Sequence, residues 1–181
     1  MRTTTESGRD TMVWDVYQSP LGPLAIQAGP RGVSGLFFPR DRRPRSARTR
    51  DPEALARVVE QLEEYFAGER RTFDLALDLV GTEFQLSVWR QLRRIPYGTT
   101  VSYSELAQAI GRPDVVRAVG AAVGQTPVPI VVPCHRVIGK DGSLTGYGGG
   151  LPRKAALLEL ERRGDELDPE AATSLRQLAI L

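Results

Sequence analysis

Apolar residues along Val13 to Phe38 come in short runs, broken by Ser19-Pro20-Leu21-Gly22-Pro23, Gly29-Pro30-Arg31-Gly32 and Ser34-Gly35. Short runs with such punctuation predict strands joined by tight turns. From Pro52 to Gly68 the period lengthens to that of an amphipathic helix, with Asp51 as its cap, Pro52 in its first turn and Gly68 past its end. Leu75, Leu77 and Leu79 alternate with polar residues or alanine, which predicts one more strand, and a domain boundary falls near Gly81. Glu83 to Ile95 reads as a helix with Phe84, Val88, Leu92 and Ile95 on one stripe and Trp89 beside it, ended by Pro96-Tyr97-Gly98. Ser102 caps a short helix through Ile110, and Glu105 completes a capping box. After the turn Gly111-Arg112-Pro113, a second helix runs from Asp114 to Gly124. Two short helices around a three-residue turn containing glycine form a helix-turn-helix pattern, although many helical hairpins bind nothing. The proline-spaced run Pro127 to Pro133 excludes helix and is expected to be extended. Pro152 opens a last helix to about Arg163.

These elements predict an α/β (α+β) fold. Residues 1–11 form a flexible tail, 12–80 a small N-terminal domain of antiparallel sheet and helix, 81–163 a mainly helical C-terminal domain with the helix-turn-helix, and 164–181 a C-terminal extension. With 181 residues, 41% apolar and 25% charged, the chain has ordinary globular composition and enough length for a sizeable core. No apolar run approaches the roughly 20 residues of a membrane span, and the polar opening lacks the core of a signal peptide, so a cytoplasmic protein is expected. One cysteine permits no intrachain disulfide, and one cysteine with one histidine cannot build a tetrahedral Cys/His zinc site; neither metal nor cofactor is expected.

Charge by segment says more than the net of +2. Arg90 to Lys154 carries a local excess of six positive charges, while Glu159 to Leu181 has a net of three negative ones. A basic middle suits an anionic partner such as nucleic acid, and charge alone fits an arginine-rich solvated surface equally well. The segment 39–50 holds six arginines, one aspartate and two prolines and reads as a loop. The second helix of the pair offers one long polar side chain, Arg117, among small residues, which favours shape-dependent binding over the reading of base edges.

Cys134-His135-Arg136-Val137 contains the only cysteine and the only histidine of the chain. A lone cysteine is usually a buried hydrophobe and a lone histidine usually structural. Their adjacency beside an arginine points instead to a thiolate nucleophile, because basic neighbours favour the ionised form. Consecutive side chains on an extended strand face opposite ways, so Cys134 and His135 meet through a water unless the chain turns. The glycine-rich stretch Gly146-Tyr147-Gly148-Gly149-Gly150 would let backbone approach a ligand closely, or serve as a plain connector.

Pro133-Cys134-His135-Arg136-Val137 resembles the active-site motif of the O6-alkylguanine-DNA alkyltransferases, the methylated-DNA–protein-cysteine methyltransferases. Phe84-Gln85 with Val88-Trp89, Ile95-Pro96-Tyr97-Gly98, Ser102-Tyr103, Arg117-Ala118-Val119-Gly120, Pro127 and Gly146-Tyr147 with Gly149-Gly150 follow in family order. The resemblance implies a suicide repair protein that flips O6-alkylguanine out of double-stranded DNA and moves the alkyl group irreversibly to its own cysteine. By position it makes Cys134 the nucleophile and alkyl acceptor, His135 a base acting through water, and Glu161 the residue that orients it. Tyr103 would donate to the guanine ring and disturb the target phosphate, and Arg117 would fill the vacated stack from a helix in the minor groove. Ser104, Arg112, Ala118, Gly120, Arg136 and Lys140 are implied at the DNA, while Val137, Tyr147, Gly148 and Thr126 are implied around the base. No obligate protein partner or membrane is implied, although molecules could cluster on DNA, with the arginine loop as a mediator.

Two departures stand out. Where the family has asparagine before the first proline of the lead-in, this chain has Thr126 after Gln125. The tie between helix-turn-helix and active-site loop would then be weaker, taken over by Gln125, or bridged by water. The zinc found in some relatives' N-terminal domains has no ligands here. Three other readings compete. A non-catalytic lesion sensor would lack the cysteine, a cysteine hydrolase would need oxyanion donors, and a transcriptional regulator would leave the Cys-His-Arg run idle.

Overall fold

The computed structural model describes residues 11–38 and 49–164. Strands β1 (Val13–Ser19), β2 (Gly22–Gly29) and β3 (Gly32–Phe37) form an antiparallel meander, as the turn residues predict. A two-residue β4 (Thr49–Arg50) joins β1 in parallel, so the sheet is mixed, in the order β3-β2-β1-β4. The arginine-rich segment otherwise lies outside the described residues, as do 1–10 and 165–181.

Gly32 shows why the second turn needs glycine. Its φ is +130°, and a Cβ there would stand 2.3 Å from the Ala76 carbonyl oxygen. The close approach serves pairing: Val33 N–H donates to Ala76 O, and Asp78 N–H donates to Val33 O, each at 2.9 Å. The strand predicted over Leu75 to Leu79 is thereby reduced to one bridge, Val33 with Leu77, because the segment contacts the β3 edge at a single register position.

Helix α1 (Ala56–Phe66) starts later than the sequence suggests. Asp51 does accept from a backbone N–H, that of Ala54 at 3.0 Å, but this closes a turn over 52–55 ahead of the helix. Helix α2 (Glu83–Leu92) is capped by a reciprocal Thr82–Gln85 box, and its C-terminal turn carries Ile95 into the core. After β5 (Val101–Ser102), helix α3 (Tyr103–Ala109) begins at the expected Ser102–Glu105 capping box. Pro113–Val115 forms a single 3₁₀ turn, and helix α4 (Val116–Gly124) follows, so the second helix of the pair starts two residues late. Strand β6 (Val137–Ile138) pairs in parallel with β5, and α5 (Leu151–Arg163) closes the described chain.

One continuous core joins the two halves. Leu24, Ile26 and Leu36 from the sheet, Leu62 and Tyr65 from α1, Trp89 and Leu92 from α2, and Leu157 and Leu160 from α5 are all buried in it. Removing each such leucine from water contributes about 1.5–3 kcal/mol. Directional bonds set the registry. Leu36 N–H donates to Pro127 O and Arg153 Nε to Leu21 O, each at 2.9 Å, and Trp89 Nε1 fixes α2 on α4 by donating to Ala122 O at 2.8 Å.

Gly32→Ala is expected to lower stability by about 2–3 kcal/mol, since the backbone rather than a flexible side chain occupies the space of the new methyl. Denaturant unfolding of the variant checks this.

Candidate active site

Pro127 to Pro133 is not extended. Val132 N–H donates to Val128 O at 2.9 Å, and Ile130 sits at φ +75°, so the lead-in folds back on itself. Proline does exclude helix here, but it permits a turn, and the buried Val128, Ile130 and Val132 hold this one in the core. The turn delivers Cys134–Arg136 as a 3₁₀ turn, with all three side chains buried.

Cys134 lines a cavity of about 690 Å³ with walls from both halves of the chain: Thr126, Tyr147 and Gly148 on one side, Leu36, Phe38 and Val80 on the other. His135 is fully buried, and its Nε2 meets Glu161 Oε1 at 2.8 Å. A carboxylate can only accept, so Nε2 carries the proton and Nδ1 holds the lone pair. Nδ1 is buried with no hydrogen-bond partner among the described residues.

Glu161 reaches the site from α5 and is itself buried. Besides His135, Oε1 accepts from Arg136 Nη2 and Tyr65 Oη, and Oε2 accepts from Arg136 Nε, all at 2.8 Å, and from Gly98 N–H at 3.1 Å. Gly98 has φ +72° and lies close under the Glu161 backbone, which explains why Pro96-Tyr97-Gly98 ends the α2 segment where it does. Burial alone pushes the Glu161 carboxyl up, but the bonds from His135 and Arg136 and their charges reverse this and hold it well below the usual range.

Arg136 corrects an expectation. Its guanidinium is buried against Glu161 and donates to Ile95 O at 2.6 Å, so it does not face DNA from the surface. Its charge is also already matched. The thiol therefore gains little from the arginine beside it in sequence, and burial pushes Cys134 up to about 11. The Thr126 hydroxyl and the Lys154 ammonium act in the opposite direction. Burial likewise lowers the affinity of His135 for a second proton, more than Glu161 raises it. The resting site thus pairs a protonated thiol with a neutral imidazole.

Lys154 gives no sign of a site role in the sequence. It is fully buried on α5, donates from Nζ to the carbonyls of Val137 and Thr145, and lies 6.0 Å from the centre of the Tyr103 ring. Its two hydrogen-bond acceptors are neutral carbonyls, so its charge is available to stabilise sulfur. Tyr103 itself donates to Thr145 O at 3.0 Å and stands beside Gly146. The Thr126 hydroxyl donates to Val123 O at 2.8 Å, tying the lead-in to the end of α4, whereas Gln125 accepts from Gln85 Nε2 at 2.6 Å and so ties α2 to α4.

The structure leaves Arg112, Arg117, Ala118 and Lys140 exposed, Ser104 and Gly120 half-buried, and Val137 buried and outside the set of residues that line the cavity. Among the described residues no group of three or more His, Cys, Asp and Glu side chains could hold a metal ion, and no helix is long and apolar enough to cross a membrane.

Residues 12–79 match the ribonuclease-like domain of 6-O-methylguanine DNA methyltransferase, and residues 83–163 match its DNA binding domain. A methylated-DNA–protein-cysteine methyltransferase of Mycolicibacterium paratuberculosis is 61% identical over 119 residues, 66% of this chain and 72% of that one. Its Mycobacterium tuberculosis counterpart is 52% identical over 146 residues, 80% and 88% of the two chains. The crystal structure of Mycobacterium tuberculosis OGT in complex with DNA aligns with a TM-score of 0.82 at 47% identity, covering 89% of this chain and 99% of that one. Fold, helix-turn-helix and buried cysteine thus define a DNA-repair methyltransferase that works through a cysteine. The chain belongs to the O6-alkylguanine-DNA alkyltransferase, or methylated-DNA–protein-cysteine methyltransferase, family.

Two outcomes are expected. Glu161→Gln leaves Arg136 buried without its anion and should cost about 3–5 kcal/mol at neutral pH. Because the folded carboxyl is depressed, its stabilisation is present above the ordinary value of 4.5 and is lost as pH falls below it, so the variant should show a flatter acid limb in denaturant titrations across pH. In the DNA-free protein, alkylation of Cys134 by iodoacetamide should still be climbing above pH 9, and Lys154→Met should reduce it at every pH below the plateau; intact mass against time measures both.

Proposed function

We propose that this chain removes the alkyl group from O6-alkylguanine in double-stranded DNA by a single, irreversible transfer to Cys134. The observation that carries this reading is a buried sulfur at the wall of a cavity large enough for a base, backed by an imidazole whose free lone pair has no partner among the described residues. Entry of the flipped base would bring an electrophilic carbon to the sulfur and displace solvent from it. The thiol proton passes through water to His135 Nδ1, and the resulting imidazolium is balanced by Glu161. Sulfur then bonds to the alkyl carbon, the carbon–O6 bond breaks, and its electron pair leaves with guanine. Lys154 stabilises the transient thiolate, joined by the Thr126 hydroxyl as it turns from Val123 O to donate to sulfur. Tyr103 turns from Thr145 O to donate to the departing ring. The thioether has no proton to give back and no route to hydrolysis, so each molecule acts once.

At the DNA, exposed Arg117 on α4 is the finger that takes the vacated place in the stack, Ala118 and Gly120 let the helix approach the minor groove, and Arg112, Lys140 and Ser104 hold the backbone. Tyr147, Gly148 and Thr126, which line the cavity, bound the base. Such a protein acts in the cytoplasm, where DNA is accessible and the thiol stays reduced.

Intact mass after mixing with a duplex that contains one O6-methylguanine should rise by one methyl, mapped to Cys134 and absent in Cys134→Ala. Selective binding of the lesion with no gain in mass would instead identify a lesion sensor.

A further inference from the structure

The N-terminal domain contributes one polar atom to the buried carboxylate of the active site. Tyr65, on α1, is fully buried and lies 96 residues from Glu161, yet its hydroxyl donates to Oε1 at 2.8 Å. Oε1 is the same oxygen that receives His135 Nε2. The Tyr65 ring cannot swing away, because Phe66 and Phe73 pack on it at 5.4 Å and Tyr97 meets it edge-on at 6.1 Å. We propose that Tyr65 is a positioning residue for alkyl transfer: its hydroxyl limits how strongly Glu161 holds the His135 proton, and so keeps Nδ1 of a neutral imidazole available as the base. This deepens the function proposed above and rests on it.

Three donors share Oε1, namely His135, Arg136 and Tyr65. Each draws electron density from the carboxylate and weakens its pull on the other two. Without the phenol, Glu161 would bind an imidazolium more tightly and His135 would hold its second proton to higher pH. A His135 already protonated cannot accept the thiol proton, so the benefit of Tyr65 is greatest where the two protonation states compete. Other charged or titratable groups act on the pair from every side: Arg136 on both His135 and Tyr65, Lys154 on His135, and Tyr97 on Tyr65. Among these, Tyr65 is the direct link from the N-terminal half to Oε1.

A purely architectural role would also explain a buried, closely packed tyrosine, so the test must read proton affinity. His135 is the only histidine in the chain, which makes its ¹⁵N signals unambiguous. Titration of full-length wild type and Tyr65→Phe from pH 4 to 9 should show the His135 midpoint higher in the variant, by about half a unit to one unit, roughly half of what one charge-assisted hydrogen bond is worth to the carboxylate itself, because His135 feels the loss only through Glu161. Single-turnover transfer from an O6-methylguanine duplex should slow about three- to tenfold near that midpoint and converge with wild type at high pH. An unchanged His135 titration, or a rate loss equal at every pH, would overturn the proposal. Should Tyr65→Phe fail to fold, ¹³Cζ-tyrosine spectra of wild type decide: a Tyr65 signal that moves with the His135 midpoint supports the coupling, and one that does not overturns it. Wild type that transfers no methyl would overturn the underlying function instead, whatever the titration shows.

Discussion

A single buried carboxylate holds the site together. Glu161 collects five hydrogen bonds, from His135, twice from Arg136, from Tyr65 and from the backbone of Gly98. An ion of this kind is costly to remove from water and becomes tolerable only when its lone pairs are filled. Filling them brings together the active-site turn, the end of the α2 segment, α1 and α5. The same bonds decide the chemistry. Because Glu161 stays ionised, Nε2 of His135 must be the protonated nitrogen, and the lone pair is left on Nδ1.

That arrangement alters the meaning of the Cys-His-Arg run. An arginine next to a cysteine in sequence suggests a thiolate held by a neighbouring charge, but the 3₁₀ turn sends Arg136 into Glu161. The thiol is left buried, in a setting that favours its neutral form. For a protein that can react once, this is an advantage: a resting thiolate would meet any small electrophile, whereas a neutral thiol is consumed only when a substrate supplies the reason to ionise. Lys154 makes the arrangement workable, since its buried charge faces carbonyls until an anion forms nearby.

Much of this was legible from local signals. The Ser102–Glu105 capping box, the meander of short strands, the turn at Gly111 and the singular pairing of Cys134 with His135 all depend on residues within a few positions of one another. What escaped depends on distance. Nothing near Tyr65 or Lys154 in sequence marks them, because the partner of Tyr65 lies 96 residues away and those of Lys154 lie 17 and 9. The direction taken by Arg136 follows from the 3₁₀ turn over Cys134–Arg136, entered from a fold-back in which Ile130 is left-handed, and no proline rule predicts either. Glu161 was reachable only by family resemblance, since a glutamate on a charged helix ordinarily faces water. Leu75 to Leu79 failed for the opposite reason: its alternation is real, but the β3 edge offers it one register position.

The Tyr65 contact also bears on why the two halves stay in one chain. The cavity beside Cys134 takes its walls from both, and the core runs through both without a break. Packing of that sort could be met by many apolar surfaces. A hydroxyl placed on one oxygen of a buried carboxylate is far more demanding, because a shift of one ångström between the halves would leave both the phenol and the carboxylate short of a partner inside the protein. The relative placement of the halves is therefore set more sharply by this one bond than by the apolar area around it. Any movement that admits a flipped base must then either preserve the Tyr65–Glu161 bond or alter the basicity of His135 as the base arrives, so the geometry of base entry and the timing of proton removal are physically joined.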